Sequence, residues 1–222
     1  MPLRPGPALA EEFLGLEAWE FEVRGVRNRP ASEALAAFAE ACVARYRQTY
    51  ALESLKDEPW LRAYRDFFWR VGVDPTKVRP AAEALLRRVI QGKPIPRINA
   101  LVDAYNLASM ETRIALAAFD ASRIRGELRM RRAVAGEMFL GIGMEAPVTL
   151  RGVEVVCEDD GDLVAIYPYR DAEAGKVTLE TTDVLFLACG VPGIPEDALR
   201  ESSRVTGDLV TRFCGGIAAP AR

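Results

Sequence analysis

The spacing of apolar residues changes character once along the chain, and that change restricts the fold more than any other feature. From Leu35 to about Ala108, apolar side chains return every three or four residues, the period of a helix with one buried face. Ser32 precedes Leu35, Phe38, Ala39, Cys42, Val43 and Tyr46. Pro59 opens a stripe of Trp60, Leu61, Tyr64, Phe67, Phe68 and Val71 that Gly72 ends. Pro80 opens a third helix through Leu85, Leu86, Val89 and Ile90, with Gly92 placed to close it. Leu101, Val102, Tyr105 and Ala108 mark a fourth. From about Gly136 the pattern becomes short β-rich runs at 138–142, 153–157, 163–167 and 184–189, separated by Gly, Pro and acidic turns. One earlier strand is expected where Trp19, Phe21 and Val23 alternate with Glu20, Glu22 and Arg24, and a last helix runs from Pro195 to Phe213, stopped by Gly215 and Gly216. Helices first, strands later and a closing helix predict an α+β fold rather than a regular βαβ array. The expected organisation is an N-terminal extension over residues 1–18, a single domain over 19–216 and a C-terminal tail over 217–222.

With 222 residues, half of them hydrophobic, the chain can bury a substantial core. No run of 18 apolar residues and no signal-like leader is present, so no membrane partner is expected and a cytoplasmic location is. Cys42, Cys157, Cys189 and Cys214 lie far apart without metal-ligand spacing, which predicts reduced, mostly buried thiols. The chain has no histidine. Ser-His-Asp and Cys-His catalysis and histidine-bound metals are thereby excluded within it, and neither a metal nor another cofactor is expected. The net charge of −3 gives no overall attraction to a polyanion, so RNA contact would need a local basic face.

Several words between Gly72 and Asp120 resemble one family. They are Gly-Val-Asp-Pro at 72–75, Arg79-Pro80-Ala81, Glu83-Ala84-Leu85-Leu86, Pro96-Arg97-Ile98-Asn99, Leu101-Val102-Asp103-Ala104-Tyr105-Asn106 and Leu116-Ala117-Ala118-Phe119-Asp120. Gly136-Glu137, Asp159-Asp160, Thr181-Thr182, Gly190-Val191-Pro192-Gly193 and Cys214-Gly215-Gly216 extend the likeness to about residue 216. In this order they are similar to free-standing B3/4 proteins, relatives of the B3/B4 editing domain of the phenylalanyl-tRNA synthetase β-subunit. The resemblance implies a layered domain of mixed β-sheets and packed helices with a helical N-terminal half. Its pocket would take an amino acid or the aminoacyl end of tRNA, and its activity would be hydrolysis of mischarged aminoacyl-tRNA in trans, without aminoacylation. A non-catalytic tRNA- or amino-acid-binding module and an enzyme acting on a free amino-acid-like metabolite are the alternatives. The family histidine falls on Ala117, the threonine before the matched asparagine on Tyr105, and the acidic residue of the late strand on Ala188 or Cys189. The Gly-rich wall gives way to Tyr167-Pro168-Tyr169-Arg170-Asp171.

The substrate-binding candidates are Asn99, Asp103, Asn106, Tyr167 and Arg170. By residue type, Asn106 suits orientation of water or a carbonyl, Asp103 an ammonium, and Arg170 a phosphate or carboxylate. Asn99 and Asp103 equally suit helix capping, and Arg170 with Asp171 equally suits a surface turn pair. Arg123, Arg125, Arg129, Arg131 and Arg132 form the candidate RNA contact, against the alternative of an ordinary solvated surface. Glu158, Asp159, Asp160 and Asp162 lack calcium-loop spacing and are read as a hairpin turn.

Overall fold

The computed structural model describes residues 1–220, and the end of the expected tail, 221–222, lies outside them. Its elements are β1 (Pro2–Leu3), α1 (Pro7–Glu12), β2 (Glu17–Arg24), α2 (Glu33–Thr49), α3 (Pro59–Arg70), α4 (Ala81–Ile90), α5 (Ala100–Thr112), β3 (Ala115–Asp120), β4 (Arg129–Arg132), β5 (Met138–Phe139), β6 (Val148–Thr149), β7 (Val155–Glu158), β8 (Leu163–Ile166), β9 (Arg170–Asp171), β10 (Asp183–Gly190), α6 (Glu196–Cys214) and β11 (Ile217–Pro220). The fold is α+β, with antiparallel sheets.

The main sheet runs β1-β2-β10-β3, and β1 and β11 share the outer edge of β2 at its opposite ends. A strand turns alternate side chains to opposite faces, so the register divides the sheet cleanly. One face carries Trp19, Phe21 and Phe186: Phe21 stacks on Phe186 at 5.1 Å, Tyr105 of α5 meets Phe186 edge-on at 5.9 Å, and Arg200 of α6 lies over Trp19 at 4.6 Å. The other face carries the cross-strand row Glu20, Leu187 and Ala117. A second sheet, β4-β7-β8-β9, and the hairpin β5-β6 complete the domain.

The helices form where sequence chemistry places them. The Ser32 hydroxyl accepts from the Leu35 amide at the start of α2. Proline opens α3, and the aromatic stripe on that helix is core: Leu61, Tyr64, Phe67 and Phe68 are buried, each large apolar side chain contributing roughly 1.5–3 kcal/mol. Gly72 follows with φ +73°, a conformation open to glycine at little cost. Tyr64 links α3 to the main sheet, its hydroxyl accepting from the Ala115 amide at 2.9 Å and donating to the Cys189 carbonyl.

Both chain ends correct the sequence reading. The first 18 residues are no extension: β1 pairs with β2, and Leu3, Leu9, Phe13 and Leu16 are buried in the core. The tail begins as β11, paired with β2 from Ile217 opposite Arg24. Four further strands lie outside the expected runs: β3 and β4, whose sequences carry a family phrase and a charge cluster, and the two-residue strands β6 and β9. Among the described residues no helix is long and apolar enough to cross a membrane.

Candidate functional site

The α5 helix starts on Asn99, whose Oδ1 accepts from the Val102 amide at 2.9 Å, so this asparagine is the N-cap. Asp103, one turn on, accepts from the Ile98 amide at 2.9 Å and ties the preceding loop to the helix. Both side chains are buried, and desolvation raises the Asp103 carboxyl above its ordinary pKa. Capping thus accounts for both. Asp103 also lines a groove of about 360 Å³ between α2 and the loop 92–97.

Tyr167 is a correction. It is 1 % exposed, its ring packs edge-on against Phe67, and its hydroxyl donates to the carbonyls of Gly190 at 2.6 Å and Glu17 at 3.0 Å. It is an inter-sheet strut, and no ligand reaches it without opening the core. Arg170 is exposed, lies against Gly141 and donates to the Ile142 carbonyl at 3.0 Å. Asn106 is half-buried, with no side-chain hydrogen bond among the described residues. Asn106, Tyr167 and Arg170 do not line the groove between α2 and the loop 92–97.

Asp171, read from the sequence as half of a surface turn pair, is the residue that burial changes most usefully. It sits on the two-residue strand β9, where Oδ2 accepts from the Ala118 amide of β3 at 3.3 Å. The residue is half-buried, and desolvation raises its carboxyl pKa to about 7 against the pull of that amide and of Arg170. Tyr105 lies near enough for the Asp171 charge to act on it. Burial first, then Asp171 and Asp103, drive the Tyr105 phenol upward, so it remains a neutral donor at physiological pH. Ala117, where the family resemblance expects a histidine, and Ala188 and Cys189, the two alternatives for its acidic residue, are buried. The Cys189 thiol is pushed well up by burial, which keeps it from acting as a thiolate.

The arginines are less free than their density suggests. Arg125 pairs with Asp162 at 2.5 Å, Arg129 with Asp160 at 2.8 Å, Arg131 with Glu137 at 2.7 Å and Glu158 at 2.6 Å, and Arg132 with Glu12. Arg123 instead donates to the Ala174 carbonyl at 3.1 Å. The acidic run 158–162 forms the β7-β8 hairpin. Asp159 accepts there from the amides of Arg125, Gly161 and Asp162. Asp120 is likewise structural, accepting from the Thr181 hydroxyl at 2.6 Å and from the Ser122 amide at 3.0 Å.

Comparison with known proteins completes the picture. The phenylalanine–tRNA ligase β-subunit of Wolbachia sp. subsp. Brugia malayi is 34% identical over 120 residues, covering 54% of this chain and 15% of that protein. The β-subunit of Rhodopseudomonas palustris is 34% identical over 113 residues, covering 51% of this chain and 14% of that protein. The chain therefore spans about a seventh of the length of these curated relatives. A crystallised N-terminal fragment of the Pyrococcus horikoshii phenylalanyl-tRNA synthetase β-subunit is 18% identical, covering 53% of this chain and 41% of its own with a TM-score of 0.46. The B3/4 domain model matches residues 63–214, from α3 to the last residue of α6, and the chain belongs to the B3/4 domain family.

Proposed function

We propose that this chain binds the aminoacyl end of tRNA beside β3 and hydrolyses the ester of mischarged molecules, with Asp171 as the proton carrier. The observation that carries this reading is a carboxyl held at about pKa 7, beside the Ala117-Ala118 segment, in a chain without histidine. Near neutral pH such a group is part ionised, which suits general base catalysis.

As the carboxylate, Asp171 takes a proton from water while the water oxygen attacks the ester carbonyl. As the acid, it returns that proton to the departing sugar hydroxyl when the C–O bond breaks. In this reading Tyr105, held neutral, donates to the carbonyl oxygen, and the Asn106 amide, without a side-chain partner among the described residues, orients the amino acid. An aminoacyl ester is already activated, so positioning and one modest base suffice. The arginines from Arg123 to Arg132 serve the tRNA backbone in this reading, by exchanging carboxylate partners for phosphates, with Arg123 the one that need not exchange any.

The test is a deacylation panel over correctly charged and mischarged tRNAs. One mischarged species is expected to be hydrolysed faster than its spontaneous rate, with activity rising through pH 7, and Asp171→Asn to slow it about a hundredfold or more. Unchanged hydrolysis in Asp171→Asn would remove the assignment. The side chains at 105 and 117 favour a second reading, binding without catalysis, since a bulky phenol and a methyl group stand where the family carries threonine and histidine. Saturable binding of aminoacyl-tRNA with no turnover would select it.

A further inference from the structure

A cleft of about 570 Å³ opens between β2, the chain's first residues and the loop 121–128 that leads into β4. Glu20 stands on its wall, in the cross-strand row with Leu187 and Ala117, and is only 9 % exposed. Most of its near neighbours with charge are already engaged. Of the cations that line the cleft, Arg24 is held by Glu22 at 2.5 Å and Arg4 lies 3.6 Å from Glu17, while Asp183 accepts from the Gly25 amide at 2.8 Å. The Met1 ammonium donates to the backbone carbonyl of Glu20, not to its carboxylate.

No donor among the described residues reaches the Glu20 carboxylate. Among the described residues every fully enclosed side-chain oxygen has a partner, so the Glu20 oxygens, having none, are not fully enclosed, and Glu20 lines the cleft. Burial, and then repulsion from Glu22 and Glu127, raise the Glu20 carboxyl above its ordinary value against the pull of the Met1 ammonium, the mark of negative charge left incompletely answered. Glu127, exposed on the loop, is a second carboxylate without a hydrogen-bonding or ion-pair partner among the described residues. The apolar side chains of Leu3, Ile124, Leu128 and Leu185 line the same cleft.

We propose that this cleft binds an aliphatic diamine, one ammonium against Glu20, the methylene chain along Leu3, Ile124, Leu128 and Leu185, and the second ammonium at Glu127. A buried carboxylate open to a cavity is stabilised by a cation that brings its own hydrogen-bond donors, and apolar walls suit the hydrocarbon between the charges. A metal ion fits less well, because no group of three or more carboxylates or thiols able to hold one occurs among the described residues. The β2 wall and the first residues lie outside the segment matched by the family model, whereas the loop 121–128 and the β10 residues of the cleft lie inside it.

Isothermal titration with 1,4-diaminobutane, and with 1,4-butanediol as its uncharged counterpart, tests the proposal. Saturable binding of the diamine alone is expected, weakened at least tenfold in Glu20→Gln and several-fold in Glu127→Gln. Ile124→Trp, which fills the cleft and leaves every carboxylate in place, is expected to abolish it. If Glu20→Gln loses its cooperative melt, Ile124→Trp decides. No binding by the intact chain, equal binding of the diol, or undiminished binding in Ile124→Trp would overturn the proposal.

Discussion

The junction of α3 with α4 and the junction of β3 with β9 each draw a carboxyl group away from water, and they treat it in opposite ways. At the first, Glu83 is 1 % exposed and both its oxygens lie 3.1 Å from Arg65, with Arg87 a further 3.9 Å away. At the second, Asp171 receives one long backbone bond, while the neighbouring Arg170 spends its guanidinium on the Ile142 carbonyl. A fold that brings one guanidinium nitrogen to both oxygens of one carboxylate has left another nearly unanswered. The first arrangement holds two helices together, and the second keeps a proton mobile near pH 7.

Breaking the stronger junction should have the largest effect. Arg65→Met strands the Glu83 charge and is expected to cost about 3 kcal/mol in urea unfolding at pH 7. A loss below about 1 kcal/mol would mean that Arg87 and solvent answer that charge well enough, and the contrast would fail.

The second junction predicts the opposite sign. The Asp171 carboxyl has a pKa of about 7 in the fold against 3.8 as a free side chain. Between those values the folded state holds more protons than the unfolded one, so stability falls as pH rises from about 4 through 7, and the whole penalty is present above 7. Asp171→Asn should therefore stabilise the protein at pH 8 by about 2 kcal/mol, less than the full shift converts to because the residue is half-buried, and change nothing at pH 4. Thermal or urea unfolding of both proteins at the two pH values measures it.

Much of this contrast was hidden from the sequence. Helices were legible because their signals are local: the Ser32 cap, the prolines before α3 and α4, the Asn99 cap and the three-and-four spacing of buried side chains. The Asp171 environment is not local, since the amide that binds it lies 53 residues earlier on β3. Beside Arg170 in the sequence it reads as a surface pair, and only the tertiary fold draws it away from water. Tyr167 failed the other way, a polar residue in a turn-like stretch that became a strut between sheets. The chain ends were misjudged for a reason that was visible: Leu9, Phe13 and Leu16 keep helical spacing and face the core, a pattern that the prolines before them obscured.

Smaller effects refine the comparison at positions where a polar group is answered by a single local partner. Asn99→Ala removes the α5 cap and should cost about 1 kcal/mol, read from the same unfolding curves. Arg129→Ala, at an exposed pair with Asp160, should have the smallest effect on the unfolding curves and none at high salt.

The protonation of Asp171 itself gives the most direct test. In protein carrying carbon-13 at the aspartate carboxyls, the Asp171 resonance followed from pH 3 to pH 9 should titrate with a midpoint near 7 and vanish from the spectrum of Asp171→Asn. A midpoint near 4 would show an ordinary solvated carboxylate, and the contrast between the two junctions, with the proton carrier built on it, would be wrong.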